Sequence, residues 1–284
     1  MIGVFDSGTG GLTVLDGLME RLPEQDFLYL GDHANAPYGH RGNAHIVDMT
    51  RAGVDFLMKQ GCRLVILGCN TAAAVALRTL QQTWLEDAHP GKRILGVLVP
   101  MVEAMTGVPW HHSGPPAKAA APQNGRHIAL FATRKTIDSG AYRDEVAKRG
   151  PGIRLVQQAC PGLVDAIEGG AGERPLRGLV HGYVQDLLDA GTTPPDAAVL
   201  GCTHFPLVRH LFAEALPDGT AILSQPNIVA RSLADYMTRH PRFAAPARTG
   251  APGVRLLSTG DTGRMPVGAL HLRADLPPFE KIAL

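Results

Sequence analysis

Two patterns of apolar residues alternate along the chain. Residues 2–5, 27–30, 64–67 and 94–97 are short continuous apolar runs, the signature of strands buried on both faces. Between them, residues 13–21, 44–60 and 72–84 place apolar side chains every three or four positions, which predicts helices. Strand–helix alternation of this kind predicts an α/β fold, with a mostly parallel sheet flanked by helices. The pattern then restarts. Residues 127–131, 154–156 and 197–200 read as strands, and 139–148, 176–188 and 207–215 as helices. A last strand is expected at 254–258. Two stretches break the rhythm, at 106–126 and 241–253; both read as Pro- and Gly-rich connections.

Laid side by side, the two series form a weak internal repeat. The first strand of one ends in Phe5-Asp6-Ser7, and its counterpart in Phe131-Ala132-Thr133. A second pair ends near Gly31-Asp32 and near Ala159-Cys160-Pro161. The third ends in Leu67-Gly68-Cys69-Asn70-Thr71 and Leu200-Gly201-Cys202-Thr203-His204. Each cluster falls at the carboxyl end of a strand, where open α/β sheets place ligands.

The third pair carries the chemistry. Cys69 and Cys202 each follow a buried strand and precede a predicted helix N-terminus. Unpaired N–H groups and the helix dipole there favour thiolate, so lowered thiol pKa values are expected. Asn70, Thr71 and Thr203 are placed to donate to the sulfurs. One such cysteine reads most simply as a small buried hydrophobe; two in matching frames read as a working pair. Inverting a stereocentre by proton transfer needs a base on one face and an acid on the other, and two thiols facing each other supply both. Cys62, at a helix end, reads as structural. Cys160, before Pro161, lies outside the pattern.

Composition narrows the classes. With 27 basic and 26 acidic side chains the formal net charge is +1, and aromatics make up 5% of the 284 residues. Neither a nucleic-acid footprint nor base-stacking platforms are expected. The start at Met1 has no basic region before an apolar run, and no stretch is long and apolar enough to span a bilayer, so the expected place is the cytoplasm. The four cysteines have neither zinc-site spacing nor the density of a disulfide framework.

Other motifs stand near the first strand. The run Gly8-Thr9-Gly10-Gly11 lacks the lysine of a phosphate-binding loop and fits an anion-binding turn for a carboxylate. Asp6 at the strand tip can bind an ammonium or polarise a thiol; alternatively Asp6 or Ser7 caps the next helix. Pro37-Tyr38-Gly39 suggests an ordered turn. His204, two residues after Cys202, can orient or protonate that thiol.

In combination these residues resemble the glutamate racemases of the aspartate/glutamate racemase superfamily. The resemblance rests on residues 4–8 with Gly10 and Gly11, Pro37-Tyr38-Gly39, Gly68-Cys69-Asn70-Thr71, Ala132-Thr133 with Thr136, Ala159-Cys160-Pro161, and residues 201–206. It implies that Cys69 and Cys202 are the two proton donors and acceptors, that Asp6 and His204 assist them, and that Glu168 is an assisting carboxylate. Asp6, Ser7, Tyr38, Gly39, Asn70, Thr71, Thr133, Thr203 and His204 fall on substrate-binding positions. It implies two similar domains with the active site in the cleft between them: 1–100 with a returning 208–284, and 101–207. It also implies no cofactor, neither pyridoxal phosphate nor metal, and D-glutamate as a peptidoglycan precursor. A homodimer is the expected assembly, although no sequence feature fixes its interface. The family's loop carries an arginine before Val-Pro-Tyr-Gly; here the loop reads Asp32-His33-Ala34-Asn35-Ala36-Pro37, and the arginine is missing. The 106–126 connection is longer than the family's.

Three other readings stay open at this point: an aspartate or dual-specificity racemase, a non-racemising relative acting on a small dicarboxylate, and a non-enzymatic carboxylate binder or redox pair.

Overall fold

Apolar side chains on both faces make Ile2–Asp6 a strand that no residue of which reaches solvent. It is β1 of a computed structural model that describes residues 1–110, 125–190, 193–244, 253–262 and 276–284. The chain continues through α1 (Leu12–Arg21), β2 (Phe27–Gly31), α2 (Asn43–Lys59), β3 (Leu64–Leu67), α3 (Asn70–Val75), α4 (Leu77–Thr83), α5 (Leu85–Ala88), β4 (Arg93–Gly96) and α6 (Leu98–Thr106). The second series is β5 (His127–Ala132), α7 (Arg134–Asp138), α8 (Ala141–Arg149), β6 (Arg154–Ala159), α9 (Leu163–Glu168), α10 (Glu173–Asp189) and β7 (Ala197–Gly201). A 3-10 helix, Phe205–Val208, leads to α11 (Arg209–Ala215) and β8 (Ala221–Leu223). Last come α12 (Gln225–Arg239), β9 (Val254–Ser258) and β10 (Phe279–Lys281).

The strands form two parallel sheets flanked by helices. One has the order β10-β9-β2-β1-β3-β4 and the other β6-β5-β7-β8. In the first, β1 lies between β2 and β3, so Asp6, Gly31 and Leu67 end at one rim. In the second, Ala132 of β5 pairs with Ala159 on one side and Gly201 on the other. Cys69 and Cys202 therefore follow equivalent strands. The end of the chain returns to the first sheet: β9 pairs with β2, and Val229, Leu233 and Met237 of α12 enter its core. Leu211 and Phe212 of α11 pack in the second core, and β8 pairs with β7. Leu207 packs against both cores.

Several expected elements differ in detail. The helix expected at 72–84 is interrupted at Ala76 and Trp84, with no Gly or Pro to mark the breaks. The helix expected at 139–148 is α8, which starts after Gly140, whose φ of 72° is left-handed, and the short α7 before it was not anticipated. Cys202 is followed by a turn and the 3-10 helix instead of an α-helix, with Pro206 in its first turn. Of the irregular connections, 111–124 and 245–252 lie outside the described residues. The first connection begins at Gly107, next to its expected start at 106, while α6, with Leu98, Met101, Val102 and Met105 on its buried face, was not anticipated. Pro100 sits within the first turn of α6, where a missing N–H leaves no helical bond unmade.

Candidate active site

The site is built from strand ends. Asp6 closes β1 and is fully buried. Its Oδ1 accepts from Gly8 N at 2.9 Å and its Oδ2 from the Thr203 hydroxyl at 3.2 Å. Burial pushes its carboxyl up to about 6, with His204 pulling the other way. The glycine run after it was expected to be an anion-binding turn for a carboxylate. Gly8 N meets Asp6, and Thr9, through N and Oγ1, meets Glu168 at 3.4 Å. Neither Asp6 nor Ser7 caps α1, whose N-cap is Gly11 without a side-chain bond. The glycines are there for close approach. A Cβ on Gly8 would stand 2.5 Å from Glu168 Oε1, and one on Gly10 2.5 Å from the His204 ring.

Cys69 is the N-cap of α3. Its Sγ accepts from Ala72 N at 3.4 Å and lies 3.4 Å from Ser7 Oγ. The lowered thiol pKa expected from the helix N-terminus is not what results. Burial pushes the Cys69 thiol up to about 12, and nearby Asp6 adds to the rise, while the Ser7 and Ala72 contacts oppose it. Desolvating a thiolate here outweighs one turn of helix dipole.

Cys202 has a different partner. Its Sγ lies 3.9 Å from His204 Nδ1, and His204 Nε2 lies 2.8 Å from Glu168 Oε1. Burial works against charge on the imidazole, yet Cys202 and Glu168 outweigh it and hold His204 up to about 10. Burial also opposes ionisation of Glu168, but the His204 contact holds its carboxyl below the usual range. The relay Glu168–His204–Cys202 thus joins α9 to the end of β7.

Asn70, Thr71 and Thr203 were expected to donate to the sulfurs, and their hydrogen bonds run elsewhere. Thr203 donates to Asp6, Thr71 meets Thr133 and Thr136 at 3.1 and 3.3 Å, and Asn70 bonds Gln225 and Tyr142. Thr133 caps α7 by accepting from Thr136 N. The Tyr38 hydroxyl donates to Asp32 at 2.7 Å, a carboxylate that also accepts from Asn35 and Thr259.

A cavity of about 90 Å³ gathers these groups. Ser7, Tyr38, Gly39, Cys69, Asn70, Thr71, Thr133, Cys202, Thr203 and His204 all line it. Of the expected site residues, Asp6 and Glu168 stand behind the lining, against Thr203 and His204. Sequence reasoning missed Arg134 and Asp165 of the lining, and it set Cys160 aside although that thiol also lines the cavity. It also missed Tyr142 and Gln225, which lie 72 and 155 positions from Asn70 and carry no local signal. A larger cavity of about 550 Å³, lined by residues such as Arg78, Glu145 and Tyr236, contains none of the expected site residues. Among the described residues no helix is long and apolar enough to cross a membrane, and no cluster of three or more His, Cys, Asp or Glu could hold a metal ion.

Comparison with known proteins agrees with this geometry. The family model described as Asp/Glu/Hydantoin racemase matches residues 96–231. A glutamate racemase of Paracoccus denitrificans is 48% identical over 265 residues, covering 93% of each chain. Among solved structures, glutamate racemase isoform RacE1 from Bacillus anthracis superposes with a TM-score of 0.83 at 25% identity, over 100% of this chain and 97% of that one. Glutamate racemase from Francisella tularensis, solved in complex with D-glutamate, gives 0.82 at 25% identity over 99% and 97%. With two parallel sheets, paired cysteines at equivalent strand ends and relatives this similar over nearly the whole length, the chain belongs to the glutamate racemases, and it is an amino-acid racemase, an isomerase.

Proposed function

We propose that this enzyme interconverts L- and D-glutamate by direct proton transfer between substrate and two thiols, Cys69 and Cys202, without a cofactor. The observation that carries the reading is that both thiols, from strand ends of different sheets, line one small cavity. In the step, one cysteine as thiolate takes the Cα proton. The other, as thiol, gives a proton to the opposite face, so charge and protons balance. Burial keeps the Cys69 thiol protonated, which suits it to the role of proton donor. His204, anchored by Glu168, orients and balances Cys202. Asp6 fixes Thr203 and lies close enough to influence Cys69. Ser7, Tyr38, Gly39, Asn70, Thr71, Thr133, Thr203 and His204 hold the substrate, and preorganised donors strengthen each contact to the developing charge.

The wider reading follows the family. It comprises D-glutamate supply for peptidoglycan, a cytoplasmic setting and a homodimer. The domains are 1–100 with the returning C-terminal segment, and 101–207, on which α11 and β8 pack. The test is racemisation of L-glutamate and of L-aspartate, followed by circular dichroism without added cofactor, in the parent, Cys69→Ser and Cys202→Ser. Glutamate turnover that falls by about 10³-fold in both variants is the expected result. Turnover of aspartate alone, or near-parental activity in either variant, overturns the reading.

A further inference from the structure

The Asn70 side chain has four hydrogen-bonding positions, two lone pairs on Oδ1 and two N–H groups on Nδ2. Three are occupied within the protein. Gln225 Nε2 donates to Oδ1 at 2.7 Å, and the Tyr142 hydroxyl donates to the same oxygen at 2.9 Å. Asn70 Nδ2 returns one bond to Gln225 Oε1 at 3.0 Å. No hydrogen bond among the described residues uses the second N–H. Asn70 lines the cavity between the thiols, whereas Gln225 and Tyr142 lie behind it, both buried.

The three residues come from three elements, α3, α12 and α8. Asn70 immediately follows Cys69. Gln225 opens the helix that returns to the first sheet's core, and Tyr142 packs in the second sheet's core. The network therefore ties the two halves together directly beneath the site. Its polarity is fixed by Tyr142. Burial pushes that phenol well above its usual range, so it stays a donor. A flipped Asn70 amide would oppose NH2 to the phenol, leaving the phenolic proton without this acceptor and forcing Gln225 to flip as well, at the cost of a buried unpaired donor.

We infer that Tyr142 and Gln225 are positioning residues that lock the Asn70 amide, so that it offers an N–H and no free carbonyl lone pair to the cavity. A free N–H can bind a carboxylate and cannot bind an ammonium. The device thus fixes where a substrate carboxylate sits and bars the reversed pose. This rests on the reading of Asn70 as a substrate-binding residue.

The test is steady-state racemisation of L- and D-glutamate by Asn70→Ala, Tyr142→Phe, Gln225→Met and the Asn70→Ala/Tyr142→Phe double variant. KM should rise about five- to tenfold for both enantiomers in Tyr142→Phe and Gln225→Met. kcat should stay within about twofold. The double variant should have the KM of Asn70→Ala, because Tyr142 acts only through Asn70. KM is read on the folded enzyme, so if Gln225→Met does not fold, Tyr142→Phe decides. A raised KM in Asn70→Ala with unchanged KM in Tyr142→Phe, or additive effects in the double variant, overturns the inference and leaves the two-thiol reading standing. An unchanged KM in Asn70→Ala overturns the inference together with the placement of Asn70. No racemisation of glutamate by the parent overturns the proposed function itself.

Discussion

Cys69 and Cys202 occupy matching places in two sheets and are 5% and 6% exposed, yet their surroundings differ in kind. Cys69 has a hydroxyl and a backbone N–H for company, and Asp6 nearby, so burial prevails and its proton is held to about 12. Cys202 has an imidazole backed by a carboxylate, and His204 keeps its proton to about 10. The repeated strand-and-cysteine frame sets position. Positions where the two halves of the repeat differ, Ser7 against Thr133 and His204 against Thr71, with Glu168 behind His204, set the chemistry. A reaction that must run in both directions needs two opposed groups, and the protein arms them by different means.

Breaking the Cys202 side should have the larger effect. Glu168→Gln removes the carboxylate that supports His204, and kcat/KM should fall about 10²-fold. The pH profile should change with it. His204 binds its proton more tightly folded than unfolded. Its contribution to stability is therefore full below about 6.5 and lost as pH rises towards about 10. In Glu168→Gln the alkaline limb of kcat/KM should move down from near pH 10, and stability should depend less on pH across that window. A variant whose alkaline limb does not move would remove His204 from the account.

The glycine turn sharpens the comparison at the next scale. Gly10→Ala drives a methyl to 2.5 Å from His204 and 2.6 Å from Thr203 Oγ1, so activity should fall by about tenfold or more through displaced geometry. At Gly39 the nearest atom to an added Cβ is Thr133 Cβ at 3.8 Å, and Gly39→Ala should fold as the parent does. Equal losses of thermal stability in the two variants would show that the turn tolerates the methyl and that the close approach is not what the glycine serves. The smallest effect belongs to the Cys69 side. Ser7→Ala removes one neutral partner of the sulfur and should cost about fivefold in kcat, with the alkaline limb assigned to His204 unmoved.

The legible parts of the fold were those with a strong one-dimensional signal. β1, β2, β3, β5 and β7 are buried along their whole length and read as apolar runs. β6 was read three residues short because Gln157 and Gln158 interrupt an edge strand that needs burial on one side only. β8 and β10 are three residues each, too short for a period to show. α12 was overlooked although Val229, Ala230, Leu233 and Met237 mark its buried face. At the site, the two cysteines and most of the lining were legible because they sit in compact motifs at strand ends. The direction of the Cys69 pKa was not, since burial is a property of the folded core and the helix N-terminus is visible locally. Tyr142 and Gln225 were invisible because each meets Asn70 only through the tertiary fold.

The central claim is two opposed cysteines, one taking the Cα proton as thiolate and the other delivering its own proton as thiol. The most direct measurement is NMR of L-glutamate converted in deuterated water, stopped at low conversion. Two bases predict D-glutamate bearing deuterium at Cα while the remaining L-glutamate keeps its protium, since the proton delivered comes from the second thiol and not from the substrate. D-glutamate that retains the substrate's protium, or deuterium entering L-glutamate ahead of racemisation, would contradict it.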